Sequence, residues 1–173
     1  MALAFRNLSV SPSDHVSAWP TEAVQAALER GDLEHWQRIA IQIGRDPWGQ
    51  TARQVEEVLS HCRPYGVAEA MESVIARARA RAERGEREVV AAEVRHAIAK
   101  SGLSRAEFAS RIGTSTSRLS TYATGKVAPS ATLMVRIRGL LAAVSQQPPG
   151  EPTLAGPDEP AGGARPAERL GVD

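Results

Sequence analysis

Apolar residues recur in this chain at three- and four-residue spacing, and glycine, proline or a capping residue cuts each run after a few turns. That punctuation admits helices. No alternating run bounded by turn chemistry occurs, so the fold class expected is all-α. Thr21 can cap a first helix carrying Val24, Ala27 and Leu28, which stops at Gly31. Asp32 can cap a second, with Leu33, Trp36, Ile39, Ala40 and Ile43 on one face and a stop at Gly44. Asp46-Pro47 reads as an N-cap with proline at the first helical position. Val55, Val58 and Leu59 carry that helix to Arg63-Pro64, because a residue before proline disfavours the α region. After a turn at Tyr65-Gly66, residues 67–84 present Ala70, Met71, Val74, Ile75 and Ala78. The stretch 76–84 alternates Ala with Arg and then Glu, has little to bury, and reads as an exposed connector, with Gly85 either a boundary or a weak point in a long helix.

Charge divides the chain further. The 173 residues hold 21 Lys+Arg and 20 Asp+Glu, a formal net charge of +1, which excludes a polycation and leaves room for one domain or two small ones. By segment, residues 1–85 carry 10 basic and 11 acidic side chains, 86–144 carry 9 and 4, and 145–173 carry 2 and 5. After Glu107 no acid follows until Glu151, while Arg111, Arg118, Lys126, Arg136 and Arg138 fall in the gap. A basic surface confined to 86–144 is suited to a polyanion. Cys62, alone, excludes an intrachain disulfide and a multi-cysteine zinc site. No run approaches the ~18 apolar residues of a membrane span, and the opening residues lack a signal-peptide pattern, so a cytoplasmic protein with no membrane contact is expected.

Residues 86–144 read as five short helices. The first, over about 88–100, turns Val89, Val90, Ala92, Val94, Ala97 and Ile98 inward and ends at Ser101-Gly102. Ser104-Arg105-Ala106-Glu107 is a capping box, with Leu103 placed as a hydrophobic staple against Phe108. Phe108, Ala109 and Ile112 are the buried side of the next helix, and Gly113 stands where a sharp helix–helix turn needs positive φ. Thr114 or Ser115 caps a short helix containing Leu119 and Tyr122, which Gly125 ends. Ser130 caps a last helix with Leu133, Val135, Ile137, Leu140 and Leu141 inward.

Leu103, Ser104, Glu107, Phe108, Ala109, Ile112, Gly113, Ser115, Leu119, Ser120, Tyr122, Gly125, Lys126, Pro129 and Ser130 together resemble the Cro/C1-type (XRE, lambda-repressor-like) helix-turn-helix DNA-binding family, over about a third of the chain. The resemblance implies a five-helix lambda-repressor-like domain whose helix 115–124 enters the major groove of double-stranded DNA. It implies base contacts from Thr116, Ser117, Arg118, Ser120 and Thr121. Arg118 alone among them can make a bidentate pair with guanine. Phosphate contacts fall to Arg105, Lys126 and the backbone N–H groups near Thr114 and Ser115. Ala123 and Thr124 depart from the pattern, since the family often has a Glu and a basic residue there.

The N-terminal half shows no convergent catalytic set. His61 and Cys62 are adjacent, Glu56 and Glu57 diverge on a helix, and Gly44 and Gly49 are too isolated for a phosphate loop. No enzyme, metal or cofactor is expected. Trp19, Trp36 and Trp48 read as core anchors. Four parts are expected: a frayed start over 1–16, a helical interaction or dimerisation module over 17–85, the DNA-binding domain over 86–144, and a disordered tail over 145–173 with six Pro and five Gly. The function expected is a sequence-specific transcription regulator, a repressor binding a palindromic operator as a homodimer, with helices 67–84 and 130–144 as candidate dimer contacts. The alternative is an antitoxin that neutralises a toxin through 17–84 and autoregulates its operon through the same DNA-binding domain.

Overall fold

The computed structural model describes residues 3–146, and the expected disorder beyond Gln146 lies outside the described residues. Every regular element among them is helical. A 3-10 turn (Val16–Ala18) precedes α1 (Thr21–Arg30), α2 (Leu33–Arg45), α3 (Gln50–His61), α4 (Val67–Ser101), α5 (Arg105–Ile112), α6 (Thr116–Ala123) and α7 (Ala131–Gln146). The last three and the second half of α4 are four helical segments, where the sequence reading counts five. No helix among the described residues is long and apolar enough to cross a membrane.

Two apolar cores sit at either end of α4. The first joins Trp19, Val24, Leu28, Ile39, Ile43, Val55, Val58, Met71 and Ile75, and the second joins Val94, Ala97, Phe108, Ile112, Leu119, Met134 and Ile137. At 1.5 Å per residue, the 35 residues of α4 span about 50 Å. Of the two readings of Gly85, a boundary or a weak point in a long helix, the structure has the second: it sits inside α4 with open space around it. A mid-helix glycine costs about 1 kcal/mol against alanine. Strong helix formers on both sides and a core at each end outweigh that cost, and Glu83 reaches Arg87 one turn on at 3.8 Å.

Several cap and face assignments shift. Pro20, not Thr21, occupies the N-cap of α1, and the Thr21 hydroxyl turns to Glu57 Oε2 at 3.4 Å. Asp32 caps α2 as expected, accepting from the N–H groups of Glu34 and His35 at 3.1 and 3.3 Å. Asp46-Pro47 forms a turn closed by Gly49 N–H to Asp46 O at 3.1 Å, so α3 starts three residues later. Proline's fixed φ serves the turn here rather than a first helical position. Trp19 is fully buried and Trp36 half-buried with its Nε1 donating to Ala27 O at 2.9 Å, but Trp48 is 45% exposed beside buried Pro47. The α2 stripe that meets the core runs through Trp36, Ile39 and Ile43, which leaves Leu33 63% exposed.

Val89 and Val135 also face solvent, and so does Ala92. In each case consecutive apolar residues compete for one face, and the sets Ala91, Val94, Ala97 and Leu133, Met134, Ile137 take it. The opening residues, expected to fray, pack down. Leu3, Phe5, Leu8 and Val10 lie against the first core, and the Phe5 ring meets Trp19 edge-on at 5.1 Å. Arg38 lies 5.2 Å from the Trp19 ring centroid and donates to the carbonyls of Pro12 and Asp14.

Candidate nucleic-acid interface

The capping box forms at the start of α5. Ser104 Oγ accepts from Glu107 N–H at 3.3 Å, and Glu107 Oε2 accepts from Ser104 N–H at 3.0 Å. The Ser104 hydroxyl, then its backbone N–H, holds the Glu107 carboxyl below its ordinary value. Phe108, Ala109 and Ile112 are buried, and Gly113 turns the chain with φ +74°. A side chain at that φ would be strained, so glycine is what allows α6 to follow α5 directly. Thr114 N–H donates back to Ala109 O at 2.9 Å. Ser115 then caps α6, its Oγ accepting from Arg118 N–H at 3.2 Å.

Leu119 and Ala123 are buried and Tyr122 is half-buried against the second core. At 100° per residue this turns Ser117, Ser120, Thr121 and Thr124 outward, with Arg118 at the border and exposed. The structure thus brings together Thr116, Ser117, Arg118, Ser120 and Thr121 on one short helix, with Arg105 at the start of α5 and Lys126 just beyond the end of α6. Thr124 also faces outward and belongs with them by its spacing from Ser117, Ser120 and Thr121.

The hydroxyls are not equivalent. Thr121 Oγ1 donates to Arg118 O at 2.8 Å, and Thr124 Oγ1 donates to Ser120 O at 3.0 Å. Those two offer lone pairs and a methyl group to a ligand, whereas Ser117 and Ser120 keep their protons available among the described residues. The Thr114 N–H closes the end of α5, so the donors left at the α6 N-terminus belong to Ser115, Thr116 and Ser117.

The cations sort in the same way. Arg138 is held by Glu93 in a two-pronged pair at 2.6 and 3.1 Å that ties α7 to α4. Arg95 joins Glu88 at 2.7 Å and donates to Ala123 O at 2.7 Å. Arg95 thereby anchors the C-terminal end of α6, where Ala123 and Thr124 lack charged side chains. Arg105, Arg111, Arg118, Lys126 and Arg136 pair with no carboxylate among the described residues. Lys126 lines an open groove of about 610 Å³ with Glu83, Glu86, Arg87 and Val127, so acids of α4 stand across from it. Arg136 was not singled out by sequence as a site residue. Its Nη1 lies 3.2 Å from where a Cβ on Gly113 would sit, which places a cation of α7 at the α5–α6 turn.

Arg138 also sets a pH dependence. Its hydrogen bond holds the Glu93 carboxyl below the ordinary value, so the pair stabilises the fold above the unfolded carboxylate range. That contribution is lost as pH falls through the depressed value. A melt followed by circular dichroism should show the second core's transition moving down on acidification, with a smaller drop in Glu93→Gln.

A sequence-family profile described as helix-turn-helix matches residues 94–144. No curated protein and no solved structure matches the chain. The matched segment begins within α4 and ends within α7, so it spans the second core, the Gly113 turn and the outward face of α6. With a glycine turn between α5 and α6 and an all-helical core behind them, residues 94–144 make this chain the carrier of a DNA-binding helix-turn-helix domain of the Cro/C1 (XRE) type.

Proposed function

We propose that the protein is a sequence-specific transcription regulator that binds a palindromic operator as a homodimer, with α6 in the major groove, and represses by occluding polymerase. The observation that carries this reading is the outward face of α6. It is uncharged and hydroxyl-lined over Ser117, Ser120 and Thr121, bordered by Arg118, and set among cations that are in no ion pair among the described residues. Short side chains let the helix approach base edges closely, Ser117 and Ser120 can donate or accept there, and the Thr121 methyl can meet a thymine methyl. Arg118 supplies the bidentate contact to guanine. Arg105 at the head of α5, Lys126 after α6, and the Ser115, Thr116 and Ser117 N–H groups take phosphate, which fixes register without reading sequence.

The test is selection of bound duplexes from a random pool by the purified chain. A palindrome with half-sites about 10 bp apart is the expected result. Recovery of no enriched sequence contradicts a sequence-specific regulator.

A further inference from the structure

Beside its core face, α2 carries a second stripe, exposed along most of its length and half-buried only at Ala40, where Ala78 and Arg81 of α4 flank it. Taken from Leu33 at 100° per residue, Ala40, Gly44, Gln37 and Ile41 fall with it inside about 100° of arc, and none is charged. Leu33 is 63% and Ile41 56% exposed, and Gln37 and Gly44 are exposed as well. A Cβ on Gly44 would meet nothing within 4 Å. An open groove of about 480 Å³ runs along this stripe, lined by Gln37, Ala40, Ile41, Gly44 and Arg81.

We propose that two copies of the chain meet here, α2 against α2, antiparallel across a two-fold axis. The stripe fits itself. With the axis near Ile39, the middle of Leu33–Arg45, Leu33 of one copy lies over the hole at Gly44 of the other, and Gln37 lies beside Ile41. The charges fit as well. Glu34 in the first turn and Arg45 in the last border the same edge of the stripe, and neither is in an ion pair among the described residues. The antiparallel register sets each Glu34 beside the other copy's Arg45, two pairs related by symmetry, with the helix dipoles opposed. A contact built on helices of 13 residues is smaller than the roughly 800 Å² per partner of a standard interface. The dimer is therefore of modest affinity by itself, and two half-sites on one duplex tighten it through effective concentration. This pairing supplies the dimer of the DNA-binding reading and rests on that reading for its purpose.

Sedimentation of the full chain without DNA tests the surface. Wild type should show a concentration-dependent monomer–dimer equilibrium, and Gly44→Glu should weaken it about tenfold or more by placing like charges in the seam. A Cβ at position 44 meets nothing within 4 Å of its own chain, and glutamate favours helix over glycine, so the helicity of Gly44→Glu by circular dichroism should match wild type. Glu34→Arg and Arg45→Glu should each weaken the dimer several-fold, and the double reversal should restore it. A chain monomeric at every concentration, a dimer that Gly44→Glu leaves intact, or a double reversal without recovery overturns the proposal. Binding of Gly44→Glu to a single half-site is measured alongside. It should match the wild-type chain if the DNA-binding reading holds, so failure of one claim is told apart from failure of the other.

Discussion

Replacing Phe108 by alanine should unfold one half of this protein and leave the other standing. Phe108 is fully buried in the second core, with Ile112, Leu119 and Ile137. Truncating such a phenylalanine costs about 3–5 kcal/mol, through lost transfer energy and the cavity left behind. That is a large share of the ~5–15 kcal/mol that holds a whole domain. The two cores share no residue and are joined through α4, whose apolar side chains between Ala78 and Val90 join neither. The defect at Phe108 should therefore stay local. The chain offers a clean probe, since Trp19, Trp36 and Trp48 all belong to the N-terminal half and none to the second core. In urea, Phe108→Ala should lose part of its helical dichroism early while the tryptophan fluorescence keeps its wild-type midpoint. Trp19→Ala should show the reverse, retaining the second core and its binding to a single half-site. If both signals of Phe108→Ala shift together, the cores are one cooperative unit and this picture fails.

The second large effect is expected at Arg118. It is exposed and in no ion pair among the described residues, so Arg118→Ala should leave the fold and its melting temperature nearly unchanged. Among the outward residues of α6 only its guanidinium can grip a guanine with two donors. Its loss should cost about 1–3 kcal/mol, or roughly 5- to 150-fold in affinity, and should relax preference at one base pair per half-site. Ser117→Ala and Ser120→Ala should cost less, because single hydroxyls discriminate weakly. Lys126→Ala should act differently, weakening all duplexes alike and lowering the log–log salt slope by about one unit. Anisotropy titrations against the selected duplex and its single-base variants separate the two behaviours. An Arg118→Ala variant that keeps full preference at every position would remove Arg118 from base readout.

What could be read from sequence follows how local each signal is. The Ser104–Glu107 box, the positive φ at Gly113, the Ser115 and Ser130 caps and the ends at Gly102 and Gly125 all depend on neighbours a few residues away. All were legible, save that Thr114 stood beside Ser115 as the cap of α6, and with them the helix order that positions α6. Whatever tertiary packing decides was not. Three apolar residues in a row, Leu133-Met134-Val135, cannot all face inward, and Leu133 and Met134 face the core with Ile137. Leu33 shares spacing with Trp36 and Ala40, but the core selects the Trp36, Ile39, Ile43 edge of α2. The polar opening residues gave no sign that Arg38 would hold the carbonyls of Pro12 and Asp14. Even within the candidate site, no pattern tells that Thr121 turns its proton to Arg118 O while Ser117 and Ser120 do not.

The central claim is that sequence is read by the outward face of α6. It is tested most directly by the ratio of affinities for the selected palindrome and for a scrambled duplex at one salt concentration. The comparison is between the wild-type chain and a variant with Ser117, Arg118, Ser120 and Thr121 all changed to alanine. The wild-type ratio should lie in the 10³–10⁷ range typical of specific binders, and the variant's ratio should fall towards unity, roughly, while its affinity for scrambled DNA changes only by the loss of one cation. A variant that remains folded and keeps the wild-type ratio would show that another surface reads the DNA.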